Sequence, residues 1–308
     1  MTSGSVFDGL AARYDELWTN TAAGRMQREA VWRHLEIHCR AGQNILDLGC
    51  GTGEDAVHLQ QSGLRVTAID ASPAMVRIAR ERGIAAQILP LEELEWLEGD
   101  FDGAISNFGP FNCVANLNAL RDPLARLIRP GGFLALCVIG RFCLWETLHF
   151  LARGEFRKAA RRWSGSALSV SLGLRVHYPT VRQIGRALKP YFMLVQSAGI
   201  GVFVPPSCGG PLSPATLTDC VEMDRRLADA WRDLFHGGAV PGSLGRFRLR
   251  LTDDRDLLGL RFLVFRGRDI FGFPAIGLLL DTGCAGRHGG RHRRRRVGGR
   301  LLRGHAIE

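Results

Sequence analysis

Seven residues constrain this chain more than any others: Asp47-Leu48-Gly49-Cys50-Gly51-Thr52-Gly53. A short apolar run, Asn44–Leu48, leads into them, and Glu54–Gln61 follows with helical spacing through Ala56, Val57, Leu59 and Gln60. Three glycines in five positions let the backbone turn sharply and let a ligand approach it closely. A strand, a glycine-rich bend and a helix are the opening of a βαβ unit, so the chain is committed to a sheet with crossover helices.

The pattern continues downstream. Residues 65–69 form a second strand-like run closed by Asp70, and Gly63 is a stop before it. Ser72-Pro73 is a helix-start pair, an N-cap followed by proline at the first helical position. The helix carries Met75, Val76, Ile78 and Ala79 to a stop at Gly83. Residues 84–89, 101–106 and 133–139 read as three more strands, with a helix over 114–128 between the last two. A helix at 180–189 ends at Pro190, and 192–196 with 260–265 predicts a closing antiparallel pair. Residues 1–42 read as helical, with Val31, Leu35 and His38 or Cys39 on one side. The expected fold is α/β, a Rossmann-like doubly wound sheet in three αβα layers, mostly parallel with an antiparallel last strand.

The bend also narrows the ligand. Its spacing is G-x-G-x-G, and Glu54 stands where a dinucleotide site has its third glycine. A carboxylate there would face a pyrophosphate across a helix N-terminus. S-adenosylmethionine carries no phosphate, and its sulfonium and ammonium groups suit the nearby Asp47. Asp70, ending the second strand, is placed to accept both hydroxyls of a ribose. Together Ile45 to Gly53, Asp70, Phe101 to Gly109 and Arg129-Pro130-Gly131-Gly132 resemble the class I S-adenosylmethionine-dependent methyltransferase family, over roughly Phe7 to Phe265.

The resemblance implies roles. Gly49, Gly51 and Gly53, with Cys50 between them, would line the methionine and ribose part of the cofactor. Asp47 would fix its amino group, Asp70 the ribose hydroxyls, and Ala71 would lie beside the adenine. Pro90 stands where the family often has an acid for the adenine amino group, which leaves the Leu91 N–H and the Glu92 side chain as candidates. Ser106 and Asn107 would face the sulfonium. The sequence Ser106-Asn107-Phe108-Gly109 lacks the Pro-Pro-aromatic continuation of base and glutamine N-methyltransferases, which argues against amino-group methylation of bases or glutamine. Arg13-Tyr14-Asp15 resembles an element of small-molecule methyltransferases, so Tyr14 would close over the cofactor and Arg25 would pair with its carboxylate.

Residues 141–178 and 202–245 are expected to be acceptor-cover inserts within a methyltransferase domain spanning 1–267. The first is read as long, helix-prone and amphipathic over 141–163, mixing Phe142, Trp145, Phe150, Phe156 and Trp163 with arginines. That mixture suits a hydrophobic or anionic small acceptor, with O- or C-methylation favoured, or a lipid- or quinone-type acceptor reached at a membrane surface. Methyl transfer needs alignment more than a base; His177 and Tyr178 are the base candidates. A non-catalytic cofactor-binding accessory of a biosynthetic complex is the competing class.

Charge adds one point. Of the ten net positive charges, seven lie in residues 282–308, eight arginines against Glu308. Nucleic-acid binding would therefore rest on that tail alone. Residues 268–308 are expected to be an irregular, disordered Arg/Gly-rich tail. The eight cysteines show no C-x-x-C pair, so neither a metal site nor a disulfide framework is expected. With no signal-like start and no membrane-length apolar run, a cytoplasmic location is the expectation.

Overall fold

The computed structural model describes residues 3–141, 143–169, 173–201 and 260–267, with 219, 222, 223 and 226. The N-terminal arm comprises α1 (Ser3–Asp8), α2 (Ala11–Tyr14), a π-turn (Asp15–Thr19) and α3 (Ala22–Glu36). The alternating part follows as β1 (Asn44–Leu48), α4 (Glu54–Gln61), β2 (Arg65–Asp70), α5 (Pro73–Glu81), β3 (Ala85–Ile88), a 3-10 turn (Leu91–Trp96), β4 (Phe101–Asn107), α6 (Pro110–Cys113), a second 3-10 turn (Leu117–Leu120), α7 (Arg121–Leu127) and β5 (Ile128–Ile139). Then come α8 (Leu144–Ala152), α9 (Phe156–Ala159), β6 (Ser166–Ser169), β7 (Leu174–His177), α10 (Val181–Ala187), β8 (Phe192–Ile200) and β9 (Leu260–Gly267).

Seven strands form one sheet in the order β3-β2-β1-β4-β5-β9-β8. The first five are parallel, and β9 runs antiparallel between β5 and β8. Successive side chains on a strand point to opposite faces, and the two faces are both dry. Ile45, Ile105, Phe133, Ala135, Phe262 and Val264 enter one core with Val31, Leu35, Leu59 and Val76 from α3, α4 and α5. Their strand neighbours Leu46, Ala104, Leu134, Leu136, Leu263 and Phe265 enter the other, with Leu94, Leu124, Leu127 and Ile184 from the opposite helices. Burial on both faces gives the three-layer Rossmann-like sandwich and explains why these strands are apolar throughout rather than alternating.

Several local expectations change. Residues 114–128 hold no single helix: the Asn116 side chain accepts the N–H of Asn118 and starts a tight turn, and only Arg121–Leu127 is α-helical. The segment 141–163 is broken at Gly154, which adopts φ +70°, into α8 and α9. After it, β6 and β7 pair as an antiparallel hairpin outside the main sheet. The expected insert at 202–245, apart from four residues, and the expected tail at 268–308 lie outside the described residues.

Candidate cofactor and acceptor site

The order reversal between β2-β1 and β1-β4 opens a crevice at the carboxyl ends of the strands, the usual ligand position of such sheets. The glycine bend crosses it. The N–H groups of Gly49 and Cys50 both donate to the Ile69 carbonyl, at 2.8 and 2.9 Å, and so bind the bend to β2. Gly49 sits at φ +80°, and a Cβ there would lie 2.3 Å from the Pro110 ring. Gly51 sits at φ +55° with open space before it, so any side chain would project into the crevice. Asp70 closes the arrangement: one oxygen accepts the Gly51 N–H and the other the Ser72 N–H, each at 2.8 Å. A carboxylate has about four acceptor positions, and the Gly51, Ser72 and Ala71 backbone donors do not fill them all. Burial pushes the Asp70 carboxyl upward, against the pull of those backbone donors.

Behind the bend lies a buried charge network. Arg28 pairs with Asp55 at 2.6 Å, and the Trp32 indole N–H donates to the other Asp55 oxygen at 2.7 Å. The Arg28 guanidinium lies 5.0 Å from the centre of the Phe108 ring. Phe108 itself is in the left-handed region at φ +59°, a costly conformation for a residue with a side chain. Asp47 is buried, and its Oδ2 has no partner among the described residues. Burial holds its carboxyl well above the usual carboxylate range. Asp55 and Asp70 push the same way, and Arg28 opposes them.

The N-terminal arm covers this end. Asp8 accepts the Ser72 hydroxyl at 2.6 Å and the Ala74 N–H at 3.0 Å, at the start of α5. Asp15 accepts the Thr52 hydroxyl at 2.7 Å and pairs with Arg82, which also holds Glu54. Phe7, Tyr14 and Trp18 are thereby set against the cavity, with the Tyr14 and Trp18 rings 5.0 Å apart.

A single cavity of about 420 Å³ runs from Gly49, Gly51, Asp70, Ala71, Leu91 and Glu92 to a second end lined by Asn112, Cys113, Ile139, Leu174, Val176 and Arg162. Asn107, at the tip of β4, lies between the two ends, and both its amide atoms are buried without partners among the described residues. Asn112 works as a rivet. It donates to the carbonyls of Ile139 and His177 and accepts the Ile139 N–H, so the β7 end of the cover is tied to the sheet.

Comparison with known proteins agrees with this geometry. Residues 45–132 match the family model described as a methyltransferase domain. The chain carries a methyltransferase domain over residues 45–132. The demethylmenaquinone methyltransferase of Mycobacterium marinum is 35% identical over 136 residues, 43% of this chain and 57% of the relative. The chain thus aligns with a little over half the length of the curated relatives it matches. The S-adenosylmethionine-dependent methyltransferase of Mesorhizobium loti superposes with a TM-score of 0.51 at 18% identity, covering 78% of this chain and 99% of that one. The cyclase SpnF superposes equally well, TM-score 0.51 at 16% identity, covering 87% and 97%. These two likenesses concern the fold.

The methyltransferase domain has room and partners for its cofactor. Open space at Gly51, remaining acceptor capacity on Asp70 and the orphaned oxygen of Asp47 fit a ligand with a diol and positive charge. Of the residues anticipated from the sequence, Tyr14, Gly49, Gly51, Asp70, Ala71, Leu91, Glu92 and Asn107 line the cavity. The others are placed elsewhere. Asp47 and Cys50 lie behind the bend. Gly53 packs on α5, where a Cβ would meet Ala79 at 3.1 Å. The buried Ser106 hydroxyl donates to the Leu48 carbonyl at 2.7 Å, pinning β4 to β1. Arg25 is turned to the Asn20 carbonyl at 2.7 Å and does not reach the cavity, so its carboxylate-binding role passes to another residue. Arg28 is the arginine that lines the cofactor end. Its signal was present in the sequence: residues 28, 31 and 35 share one stripe of α3, and Val31 and Leu35 are buried.

The two base candidates also fall outside the lining. His177 contributes its backbone carbonyl to Asn112. Tyr178 is buried with its ring under the Arg162 guanidinium, 5.5 Å away. Among the described residues the acceptor end presents no histidine, and burial pushes the Cys113 thiol up to about 11, so at neutral pH it is not a base.

Proposed function

We propose that this chain transfers the methyl group of S-adenosylmethionine to an oxygen or carbon atom of a small acceptor. The observation that carries the reading is one continuous cavity that joins the Asp70 and glycine end to an apolar second end under the β6–β7 cover. Its volume lies in the range of small-molecule sites, about 300–1,000 Å³. When bound, the cofactor supplies an electrophilic methyl group on a sulfonium. In our reading Asp70 holds the ribose, the Gly51 and Gly49 backbone carries the methionine portion, Asn107 meets its positive charge, Asp47 supports that charge from behind the bend through backbone or water, and Arg28 faces its carboxylate. Tyr14 and Trp18 exclude water. Alignment then supplies the rate advantage, because a positioned acceptor replaces a bimolecular encounter. We assign this domain to residues 1–267, with 141–178 as acceptor cover.

A second acceptor class is favoured by one surface feature. Leu148, Leu151, Phe156 and Trp163 are each exposed, as are Arg153 and Arg157, over residues 148–163. Exposed apolar side chains interspersed with arginines suit an anionic membrane surface, and a lipid-like or quinone-type acceptor, such as the name of the mycobacterial relatives implies for those proteins, would be reached there. Among the described residues no helix is long and apolar enough to cross a membrane. Flotation of the full chain with anionic and with neutral liposomes separates the two acceptor classes. Recovery of all protein in the pellet with both would remove the membrane version.

The cofactor reading is tested by titrating S-adenosylhomocysteine into the protein and into Asp70→Ala. Loss of charge-assisted hydrogen bonds of about 1.5–3 kcal/mol each predicts a fall in affinity of about 100-fold. An unchanged affinity would sink the ribose assignment, and Asp70→Asn, which keeps one acceptor oxygen, should fall between.

A further inference from the structure

We infer that Arg162 is the acceptor-anchoring residue, and that it selects acceptors carrying an acidic, ionisable hydroxyl, such as a phenol or an enol. The inference rests on the methyl-transfer reading and adds to it the substrate class.

Arg162 lines the acceptor end of the cavity with Cys143, Leu174 and Val176. Its position is over-determined. Glu146, from α8, is almost fully buried and is gripped by two guanidinium groups, Arg161 at 2.8 Å on one oxygen and Arg162 on the other. The Tyr178 ring supports the Arg162 guanidinium from one side. Arg141 is directed to the Tyr178 carbonyl and to Gln183. Glu146 is thus shared by two guanidinium groups beside an otherwise apolar cavity wall. The Arg162 Nε–H is buried and has no partner among the described residues, a costly state for a donor unless a ligand fills it. Arg28, the other lining arginine, is neutralised by Asp55 and stands at the cofactor end.

An ionised hydroxyl is the complement of such a site. A guanidinium held in a dry pocket stabilises an oxyanion far better than water-exposed charge does. The acceptor would then bind as its anion, its proton released to water, and no protein base is required. In the transfer step the electron pair of the oxygen, or of the carbon conjugated with it, forms the bond to the methyl carbon. The carbon–sulfur bond breaks and its pair neutralises the sulfonium, leaving the thioether. Where carbon is the acceptor, its own proton leaves to solvent afterwards.

The test uses two probes of matching shape, 2-hydroxy-1,4-naphthoquinone, an anion at neutral pH, and neutral 1,4-naphthoquinone. Binding is followed by absorbance in the presence of S-adenosylhomocysteine. The full chain should prefer the anion by about tenfold or more, and Arg162→Met should erase the preference while leaving the neutral probe unchanged. Arg162→Lys, which keeps the charge but loses the planar fork, should retain part of it. Glu146 keeps Arg161 in either variant, so its charge is not left uncompensated. Equal affinity of the full chain for the two probes, absence of binding by the anion, or an undiminished preference in Arg162→Met would each overturn the inference. S-adenosylhomocysteine affinity, measured on the same samples, reports on the methyl-transfer reading separately.

Discussion

At the cofactor end the glycine bend and the carboxylates lie within one stretch of chain, from Asp47 to Ser72, and Arg28 and Asn107 join them from α3 and β4. At the acceptor end the polar contacts come from side chains on separate segments, Asn112 on α6 and Arg162 after α9, brought together by a hairpin outside the main sheet. The first end is part of the fold's own hydrogen-bonding, since Asp70 and Ser72 also complete the bend and the start of α5. The second is laid over a finished core. The difference teaches that substitutions at the cofactor end should damage fold and binding together, whereas those at the acceptor end should change selectivity with little loss of stability.

The largest effect that would sharpen this comparison is expected at Arg28. Arg28→Met leaves Asp55 buried with only the Trp32 donor, and chemical denaturation should show a loss of about 3 kcal/mol or more. Arg25→Met, three residues earlier on the same helix, should stay within about 0.5 kcal/mol of the parent. Equal effects would break the distinction between them. Next is Gly49→Ala. Its Cβ would collide with Pro110 at a backbone angle that disfavours side chains. We expect a stability loss of about 2–3 kcal/mol, read as a lowered midpoint, together with weaker cofactor binding.

A third, smaller effect concerns pH. Burial keeps Asp47 protonated above the usual carboxylate range in the free protein, and a cationic ligand favours its ionised form. Cofactor binding should therefore release protons, and affinity should rise as pH climbs through the elevated Asp47 value. The free protein, conversely, should lose stability over the same interval, because ionising a buried carboxyl is unfavourable. Calorimetry in two buffers of different ionisation enthalpy measures the proton release. Asp47→Asn should remove most of it, Asp70 supplying the remainder. Smallest is Asp8→Ala. Hydrogen bonds to the Ser72 hydroxyl and the Ala74 N–H hold the Asp8 carboxyl below 3.8. Its contribution is thus complete above that ordinary value and fades as pH falls through the depressed one. At neutral pH the variant should weaken cofactor binding by about twofold to threefold, the scale of an exposed contact.

The sequence disclosed these two ends unequally, and for a physical reason. The strand, glycine bend and strand-end acid are contiguous, and their chemistry is written in backbone geometry that few residue types permit. Gly51 and Asp70 are therefore paired by the sequence alone. Arg28 was overlooked in favour of Arg25, although helical phase with Val31 and Leu35 distinguishes them. At the acceptor end the deciding contacts span long stretches of chain. The segment 141–163 has the composition of one helix, and only Gly154 marks where it divides. Nothing local in His177 or Tyr178 tells that one offers a carbonyl to Asn112 and the other a ring to Arg162. Those roles arise from the hairpin pairing of β6 with β7 and become readable only when the cover is in place.

The carboxylates Asp8 and Asp15 have a kinetic meaning as well. They latch the N-terminal arm across the crevice through a handful of polar contacts, so in the methyl-transfer reading a spent nucleoside beneath it would depart only after several of these let go at once. Reloading would then be timed by the latch and bond-making by the pocket, and loosening the former should quicken turnover only while it still keeps solvent out.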